Sequence, residues 1–185
     1  MKFLKRGFGG KTFFKKFSPQ KHVMKIEKLT LKNVDSAAPL VAEFRATLRA
    51  FKGEIIEYAI EDGKEELLDF LDKNYPVFIA IEDEKCVGYL ACRIDEPCVW
   101  VEHIFVHKEY RRRHIASALF EKAEEVAAEY GQETVYNYIH PNNDGIIAFL
   151  RSRGYNVLNL IEIRKPYSGE KPTTKINVGG NEFDY

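Results

Sequence analysis

The order of hydrophobic patterns along the chain predicts a mixed α/β fold whose central sheet is largely antiparallel and carries helices on both faces. Three strand-like runs follow one another within residues 77–106, and an acidic turn at 82–84 joins the first two. Beyond them, helix-like and strand-like runs alternate as far as residue 163. A hairpin followed by strand–helix–strand units builds a mixed sheet between layers of helices.

Composition restricts the class of protein. The chain has 185 residues, of which 45% are hydrophobic, and this suits one domain around a single core. The 28 basic and 28 acidic side chains cancel, so the overall charge favours neither nucleic acid nor a membrane as a partner. No apolar run approaches the roughly 20 residues that span a bilayer. Cys86, Cys92 and Cys98 lack CxxC spacing, which indicates buried thiols in a reducing compartment rather than disulfides or a zinc site.

Three segments differ in composition. Residues 1–23 form a basic extension rich in Phe and Lys, residues 24–164 form the folded domain, and residues 165–185 form a polar tail. Glycines interrupt the extension where a signal peptide would need an apolar stretch, so we expect a cytoplasmic protein. We interpret the extension as a disordered or loosely docked segment. RNA binding or membrane-surface binding by its interleaved Lys and Phe is the alternative.

The first predicted elements are a strand and a helix. Residues 24–31 have the pattern of a strand. Apolar residues recur at threes and fours over 36–51, which predicts a helix with Asp35 or Ser36 as its N-cap and Gly53 at its end. The elements that follow as far as the third central strand are a helix at 65–71, the hairpin strands at 77–81 and 85–94, and a strand at 98–106.

A longer helix is predicted at 113–130, closed by Gly131. Its expected buried stripe consists of Ile115, Leu119, Ala123, Val126 and Tyr130. The remaining predicted elements are a strand at 134–139, a helix at 144–153 that Gly154 closes, and a strand at 155–163.

Three arginines, Arg111, Arg112 and Arg113, lie between the strand at 98–106 and the long helix. A helix start presents backbone N–H groups that have no internal partner, and the helix dipole adds positive potential there. A diphosphate is therefore stabilised at such a point, the more so beside arginine side chains. An exposed basic turn is the alternative interpretation of the charge run alone.

This arginine-rich turn resembles the acetyl-CoA-binding signature of the GCN5-related N-acetyltransferase (GNAT) superfamily. The signature consists of Arg or Gln, two residues of any kind, Gly, any residue, and then Gly or Ala. Arg111, Ile115 and Ala116 match it. His114 stands where the family usually has the first Gly, and we expect a helical φ there, which a histidine can adopt.

A second family signature lies downstream. The family has an Asn that is followed eleven residues later by Gly and an aromatic residue, and Asn143 and Gly154-Tyr155 match that spacing. The family often has a Tyr four residues before this Gly, thought to protonate the departing thiolate. Leu150 occupies that position here.

The resemblance implies a three-layer fold with acetyl-CoA in a V-shaped gap between the strand that ends at Val106 and the strand at 134–139. Main-chain groups of Phe105 and Val106 would pair with the pantetheine and the thioester carbonyl. Asn143 would lie near the pantetheine arm, and no metal is implied. The pyrophosphate would be held by backbone amides of Arg112, Arg113, His114, Ala116 and Ser117.

Deprotonation of the acceptor is the remaining chemistry, because an ammonium group cannot attack a thioester. Glu102 is the first candidate base, since it is a carboxylate in an otherwise apolar strand and is expected to share a face with Ile104 and Val106. A solvated Glu on a surface is the alternative. Tyr138 and His140, at the end of the next strand, are candidate acids or bases, although a Tyr or His at a strand end also often just packs.

The resemblance implies transfer of acetyl to a primary amine by direct attack in a ternary complex. The acceptor would be a small amine, a polyamine, or a protein N-terminus or lysine. The acidic segment 53–75 suits a cationic acceptor, or is a solvated helix face. One alternative is a catalytically silent acyl-CoA-binding protein, which His114 and Leu150 favour. Another is an RNA- or ribosome-associated protein acting through residues 1–23, and a homodimer is left open.

Overall fold

The structure is a computed structural model in which residues 24–51 and 53–185 are described. These residues divide into two compact units, the first ending at Asn143 and the second spanning Asp144–Tyr185. The first unit contains β1 (Lys25–Lys28), α1 (Val34–Ala50), α2 (Ile60–Asp72), β2 (Val77–Glu82), β3 (Lys85–Asp95), β4 (Cys98–Val106), α3 (Ile115–Glu129) and β5 (Tyr136–Asn137). The second contains α4 (Asp144–Ser152), β6 (Lys175–Val178) and β7 (Asn181–Asp184).

The central sheet has the strand order β1-β2-β3-β4-β5. Its first four strands are antiparallel, and β5 runs parallel to β4. The prediction of a mixed, largely antiparallel sheet is therefore confirmed. The turn between β2 and β3 consists of Asp83 and Glu84 at φ 49° and 63°. Two residues of positive φ make the kind of turn whose twist matches a hairpin.

Helices cover both faces of this sheet, as predicted. On one face, α1 and α2 share a buried cluster with Tyr89 of β3 and Phe105 of β4. On the other face, a Cβ on Gly88 would lie 3.3 Å from Cγ2 of Ile115, the first residue of α3. Successive strand residues point to opposite faces of a sheet. Tyr89 therefore faces α1 and α2, whereas Gly88 faces α3. Burying each large apolar side chain stabilises the fold by roughly 1.5–3 kcal/mol.

The start of α1 differs from its prediction, whereas its end agrees. Asn33, not Asp35 or Ser36, is the N-cap, because Val34 already enters the core at 2% exposure. The Ser36 hydroxyl donates to the Asn33 carbonyl oxygen over 2.7 Å instead of capping. Gly53 ends the helix at φ 76° and donates its N–H to the Ala50 carbonyl oxygen.

The long helix α3 begins two residues later than predicted, at Ile115. Its buried stripe includes Phe120 and Ala127, while Tyr130 is 37% exposed and was wrongly placed in the core. Gly131 at φ 70° follows the helix as predicted. No helix among the described residues has the length and apolar character needed to cross a membrane.

In the second unit, α4 agrees with its prediction and the strand after it does not. Gly154 follows α4 at φ 90°, and the Tyr155 N–H donates to the Leu150 carbonyl oxygen over 3.0 Å. Residues 155–163 form no strand, because an apolar pattern also needs a neighbouring strand to pair with. The strands that do form, β6 and β7, lie within the predicted polar tail, where the two-residue turn Gly179-Gly180 supplies a local partner.

Candidate functional site

Among the described residues, no strand pairs with part of one edge of β4, which we call its open edge. β5 pairs with β4 at Trp100 and Val101, and β4 then continues to Val106. The His107 N–H donates to the Val87 carbonyl oxygen over 2.9 Å, which sets the alternation of the antiparallel ladder with β3. By that alternation the main-chain groups of Phe105 face β3, so the expectation that they would pair with the pantetheine is wrong. The main-chain groups of Val106 and of Ile104 face the open edge.

The Arg111 side chain lies along the end of this strand. Its Nε donates to the Val106 carbonyl oxygen over 3.0 Å, and its guanidinium carbon lies 5.6 Å from the centre of the Phe105 ring. This bond uses the Nε–H of the guanidinium. The other N–H donors of Arg111 are on its two Nη atoms. Arg111 thereby places positive charge at the end of the open edge.

The backbone of the loop between β4 and α3 is left-handed at two residues. Arg112 has φ 64° and His114, the N-cap of α3, has φ 62°. The expectation of a helical φ at His114 is wrong, because the chain must turn here before α3 can begin. Left-handed residues within such a turn point successive amides into a common concavity that favours anions.

The first turn of α3 adds further amides to this loop. The first intrahelical bond runs from the Ala118 N–H to the His114 carbonyl oxygen over 3.1 Å. The N–H groups of Ile115, Ala116 and Ser117 precede it and have no helix carbonyl to bind. The structure thus brings the predicted phosphate-binding residues 111–117 together around one helix start.

A buried carboxylate anchors this loop, and the sequence did not indicate it. Arg113 Nη1 donates to Oε1 of Glu82 over 2.9 Å, and the Glu82 side chain is 7% exposed. The Arg113 guanidinium carbon also lies 5.0 Å from the centre of the Tyr110 ring. Glu82 was interpreted only as part of the hairpin turn, and the alternation of β2 was the one signal that could have placed it in the sheet.

Glu102 is the extra residue of a β-bulge in β4. The pairing with β3 passes from His103 opposite Ala91 to Val101 opposite Cys92, so Glu102 has no partner of its own. Its Oε1 accepts a hydrogen bond of 2.7 Å from Arg93 Nε. Bulges re-aim side chains and occur often beside active sites.

The bulge overturns the predicted orientation of Glu102. Arg93 lies two residues beyond Ala91, and therefore on the sheet face that packs against α1 and α2. Because Glu102 contacts Arg93, it lies on this face too. Val106 contacts the opposite face, where its Cγ2 lies beside Gly88 and Ile115. Glu102 and Val106 were predicted to share a face, and the inserted residue separates them.

An aromatic stack lies next to Glu102. The rings of Trp100 and Tyr138 are parallel within 9°, with centroids 4.5 Å apart. Tyr136 packs against the same indole at 5.0 Å, and the Arg93 guanidinium carbon lies 5.3 Å from the Trp100 ring. Through Trp100 and Arg93, the structure brings the two predicted catalytic residues, Glu102 and Tyr138, into one neighbourhood.

His103 is a neutral bridge inside the core. Its Nδ1 lies 3.3 Å from the Tyr89 hydroxyl, and its Nε2 lies 3.2 Å from both Nη2 of Arg45 and Oε1 of Glu66. Burial, and then the positive charge of Arg45, lowers the pKa of His103 from 6.5 to about 3. A group with so low a pKa is a poor base at neutral pH, so His103 connects α1 and α2 to β4 rather than moving protons.

The end of α1 contacts the segment that follows β5. The rings of Phe51 and His140 stack at 5.7 Å and 18°, and Asn142 Nδ2 donates to the Phe51 carbonyl oxygen over 3.4 Å. Asn143, the predicted pantetheine contact, lies in the turn closed by its N–H bond to the His140 carbonyl oxygen. The acidic segment 53–75 therefore begins beside the residues that follow Tyr138. No cluster of three or more potential metal ligands occurs among the residues that the structure describes.

Comparison with known proteins places this geometry in context. The sequence model of the acetyltransferase (GNAT) family matches residues 41–155, which lie within the predicted domain 24–164. No curated protein matches the sequence.

Three solved structures illustrate the similarity of fold. Aminoglycoside N-acetyltransferase AAC(6')-Iy in complex with CoA is 15% identical, covers 81% of this chain and 99% of its own, and has a TM-score of 0.66. Ribosomal-protein-alanine N-acetyltransferase from Brucella melitensis biovar Abortus 2308 is 22% identical, with coverages of 77% and 99% and a TM-score of 0.61. Aminoglycoside 6'-N-acetyltransferase AAC(6')-IG from Acinetobacter haemolyticus is 18% identical, with coverages of 76% and 97% and a TM-score of 0.59.

Proposed function

Because this chain belongs to the acetyltransferase (GNAT) family, we propose that it transfers the acetyl group of acetyl-CoA to a primary amine. The observation that carries this proposal is the open edge of β4 at Ile104 and Val106, which ends beside the left-handed, arginine-rich loop before α3. A strand edge supplies donors and acceptors for an extended amide-containing chain such as pantetheine. The loop and the helix start supply amides and positive charge for its diphosphate.

We place the diphosphate against the backbone of residues 111–117, with the Nη groups of Arg111 beside it. The pantetheine would extend along the open edge of β4, where the main-chain groups of Ile104 and Val106 would pair with it. Asn143 would contact the pantetheine arm from the turn after β5. No metal is required for this chemistry.

In the reaction, the amine nitrogen attacks the thioester carbonyl carbon in a ternary complex. A C–N bond forms while the carbonyl oxygen becomes an oxyanion, which the Val106 N–H would stabilise. The C–S bond then breaks, and CoA leaves as a thiolate that takes up a proton. Before the attack the acceptor loses the proton of its ammonium form, which we assign to Glu102, directly or through a water molecule. The nitrogen loses a second proton as the amide forms, and this balances the proton that the thiolate takes up. Tyr138 is our candidate for the proton donor to the thiolate.

The acceptor that we propose is a cationic amine. The similar structures include enzymes named for aminoglycosides and for a ribosomal protein alanine, and both kinds of acceptor carry an amine. The segment that follows Phe51 holds exposed carboxylates, which favour a positively charged ligand; they belong to Glu54, Glu57 and Glu61.

We also propose that the protein acts in the cytoplasm and that residues 24–164 carry its acetyltransferase domain. Cys86, Cys92 and Cys98 are all free thiols, and this is the usual state in a reducing compartment. The family match at 41–155 supports the extent of the domain.

Two measurements test the cofactor assignment. Acetyl-CoA should raise the melting temperature of the full chain, since a ligand that binds only the folded state stabilises it. Arg111→Ala should weaken acetyl-CoA binding by about tenfold, a loss of about 1.4 kcal/mol. Lys32→Ala, at an exposed lysine on the turn before α1, is the matched control and should bind normally. Equal affinity of wild type and Arg111→Ala would contradict the phosphate-loop placement.

Turnover with a panel of amines and N-terminal peptides tests the enzyme itself. Release of free CoA that depends on an acceptor supports the transferase. A catalytically silent acyl-CoA-binding protein is the second candidate, favoured by His114 at the usual glycine position and by the buried Leu150. Binding of acetyl-CoA without turnover on any acceptor would establish that candidate instead.

A further inference from the structure

Glu102, the inserted residue of the β4 bulge, is held from the neighbouring strand by Arg93. The pairing of β3 with β4 sets Arg93 opposite Trp100 and gives Glu102 no partner. Cross-strand neighbours normally restrict the direction of a strand side chain, and an inserted residue lacks that restriction. Arg93 Nε supplies it by donating to Oε1 of Glu102 over 2.7 Å. Among the described residues, no other group makes a hydrogen bond with the Glu102 carboxylate, so its orientation depends on Arg93.

Arg93 is itself fixed by contacts that do not involve Glu102. Its guanidinium carbon lies 5.3 Å from the centre of the Trp100 ring, and its Nη1 lies 3.4 Å from Oδ2 of Asp95. Tyr138 stacks on the same indole and helps to hold it. The Arg93 side chain is 30% exposed, so water and salt screen its charge only in part. A planar guanidinium that is already held loses little further freedom when it donates to a carboxylate.

The bond from Arg93 leaves Glu102 able to take a proton. Arg93 donates to Oε1, whereas an ionised carboxylate has two oxygens that accept. Oε2 accepts no hydrogen bond from the residues that the structure describes. Asp95 also offsets part of the positive charge of Arg93, so Glu102 faces less than a full opposing charge. One oxygen of Glu102 is therefore fixed, and the other is left for the acceptor or for a water molecule.

We propose that Arg93 is a positioning residue for the acetyl transfer: it holds Glu102 through Oε1 so that Oε2 takes the proton of the acceptor's ammonium group, directly or through water. Sites that activate a nucleophile commonly pair the base with a third group that orients it. Arg93 keeps its own proton, since a guanidinium stays charged and the bond to Glu102 raises the pKa of Arg93 further. The proton passes from the acceptor nitrogen to Oε2 and then to solvent. This inference rests on the proposed acetyl transfer, because it explains how the assigned base is oriented.

A double-mutant cycle of Arg93 and Glu102 in the full chain tests this role, with spermidine or an alanine-terminated peptide as acceptor, whichever turns over faster. Arg93→Gln should lower kcat about tenfold at neutral pH and keep the KM of both substrates within about twofold. In the Glu102→Gln background the same change should lower kcat by less than about twofold, since no base remains to be oriented. An equal loss in both backgrounds, or no loss in either, would overturn the proposal. So would a raised KM with unchanged kcat.

Arg164→Gln is the matched control and should leave kcat unchanged. Arg164 also donates to a carboxylate, Oε1 of Glu170 over 2.7 Å, and its guanidinium carbon lies 4.4 Å from the centre of the Tyr167 ring, but it belongs to the second unit. If Arg93→Gln unfolds, Arg93→Lys replaces it in the cycle. Lysine keeps the charge without the planar fork, so kcat should fall about threefold or more, and again only where Glu102 is present. Additive losses with Arg93→Lys would likewise overturn the positioning role.

Failure of this inference and failure of the proposed function give different results. If the wild type acetylates amines and Arg93→Gln loses the same factor with and without Glu102, Arg93 is structural and the transferase stands. If Glu102→Gln keeps the wild-type rate at neutral pH, Glu102 is not the base, and the role of Arg93 falls with it while the transferase still stands. If the wild type acetylates no amine, the proposed function itself is wrong.

Discussion

Arg113 donates a hydrogen bond from Nη1 to Oε1 of Glu82 across 2.9 Å, which joins the arginine-rich loop to the end of β2. The two residues are 31 positions apart, and the Glu82 carboxylate is almost completely buried. A buried carboxylate that is paired with a guanidinium holds that partner in place, because a buried carboxylate without its partner would be costly. Glu82 is therefore a positioning residue for the loop.

We predict that Glu82→Gln weakens acetyl-CoA binding about tenfold, because the loop loses its charged anchor while the shape of the side chain is kept. Calorimetric titration of the purified chain measures the change. Glu84→Gln, in the same hairpin turn and exposed, should bind as the wild type does. If the two variants bind acetyl-CoA equally well, the anchor has no role in the loop.

His114 adopts φ 62°, a conformation that costs about 1 kcal/mol or more for a residue with a Cβ and little for glycine. We predict that His114→Gly raises the melting temperature by roughly 2–4 °C. His114→Ala retains a Cβ and should not show this gain. Thermal unfolding of the three proteins decides the matter, and a glycine variant no more stable than the alanine variant would argue against strain at this residue.

His103 makes the stability of the fold depend on pH. Its pKa is lowered from 6.5 to about 3 in the folded protein, so below pH 6.5 the unfolded chain binds the extra proton. The contribution is complete above pH 6.5 and is lost as the pH falls toward the folded pKa. The free energy of unfolding should therefore fall between about pH 6.5 and pH 5, by at most about 1.4 kcal/mol per pH unit for this group.

Denaturant unfolding at a series of pH values tests this dependence. His103→Gln removes the titrating group and should flatten the slope in that window. His107→Gln, at a half-buried histidine outside the core, is the matched control and should keep the slope. Should the His103→Gln variant retain the full slope, other groups carry the pH dependence.

Glu102→Gln should lower the acetylation rate about a hundredfold at neutral pH and much less at alkaline pH. A Lys-like amine has a pKa of about 10.4, so it needs a base at neutral pH and loses its proton to solvent when the medium is alkaline. The pH profile of kcat measures this. Asp95→Asn removes the other carboxylate that contacts Arg93 and should preserve the profile. A Glu102→Gln profile parallel to that of the wild type would exclude Glu102 as the base.

Regular periodicity made parts of the fold predictable. The strand at 98–106 was predicted to the residue from its largely apolar run, and in the structure buried and half-buried positions alternate along it. The same alternation continues through the β-bulge, so nothing in the strand itself marks Glu102 as an inserted residue. The bulge exists only in the pairing with β3, and for this reason the orientation of Glu102 was predicted wrongly.

Local pattern was also insufficient where a strand needed a partner. Residues 155–163 have strand-forming side chains and form no strand, whereas the more polar residues of β6 and β7 form a hairpin. The difference is a two-residue glycine turn that brings β6 and β7 together at little entropic cost.

The sequence by itself determined the mixed sheet, its helices and the arginine-rich turn, because periodicity and helix-start chemistry are local properties. The resemblance of two motifs to the GNAT family implied acetyl-CoA, and residues 111–117 as the segment that we propose holds its diphosphate. Only the tertiary structure decided the open edge of β4, the left-handed His114, the Glu82–Arg113 contact and the Trp100–Tyr138 stack. These features join residues that are distant in the chain or depend on strand register, and neither composition nor spacing encodes them.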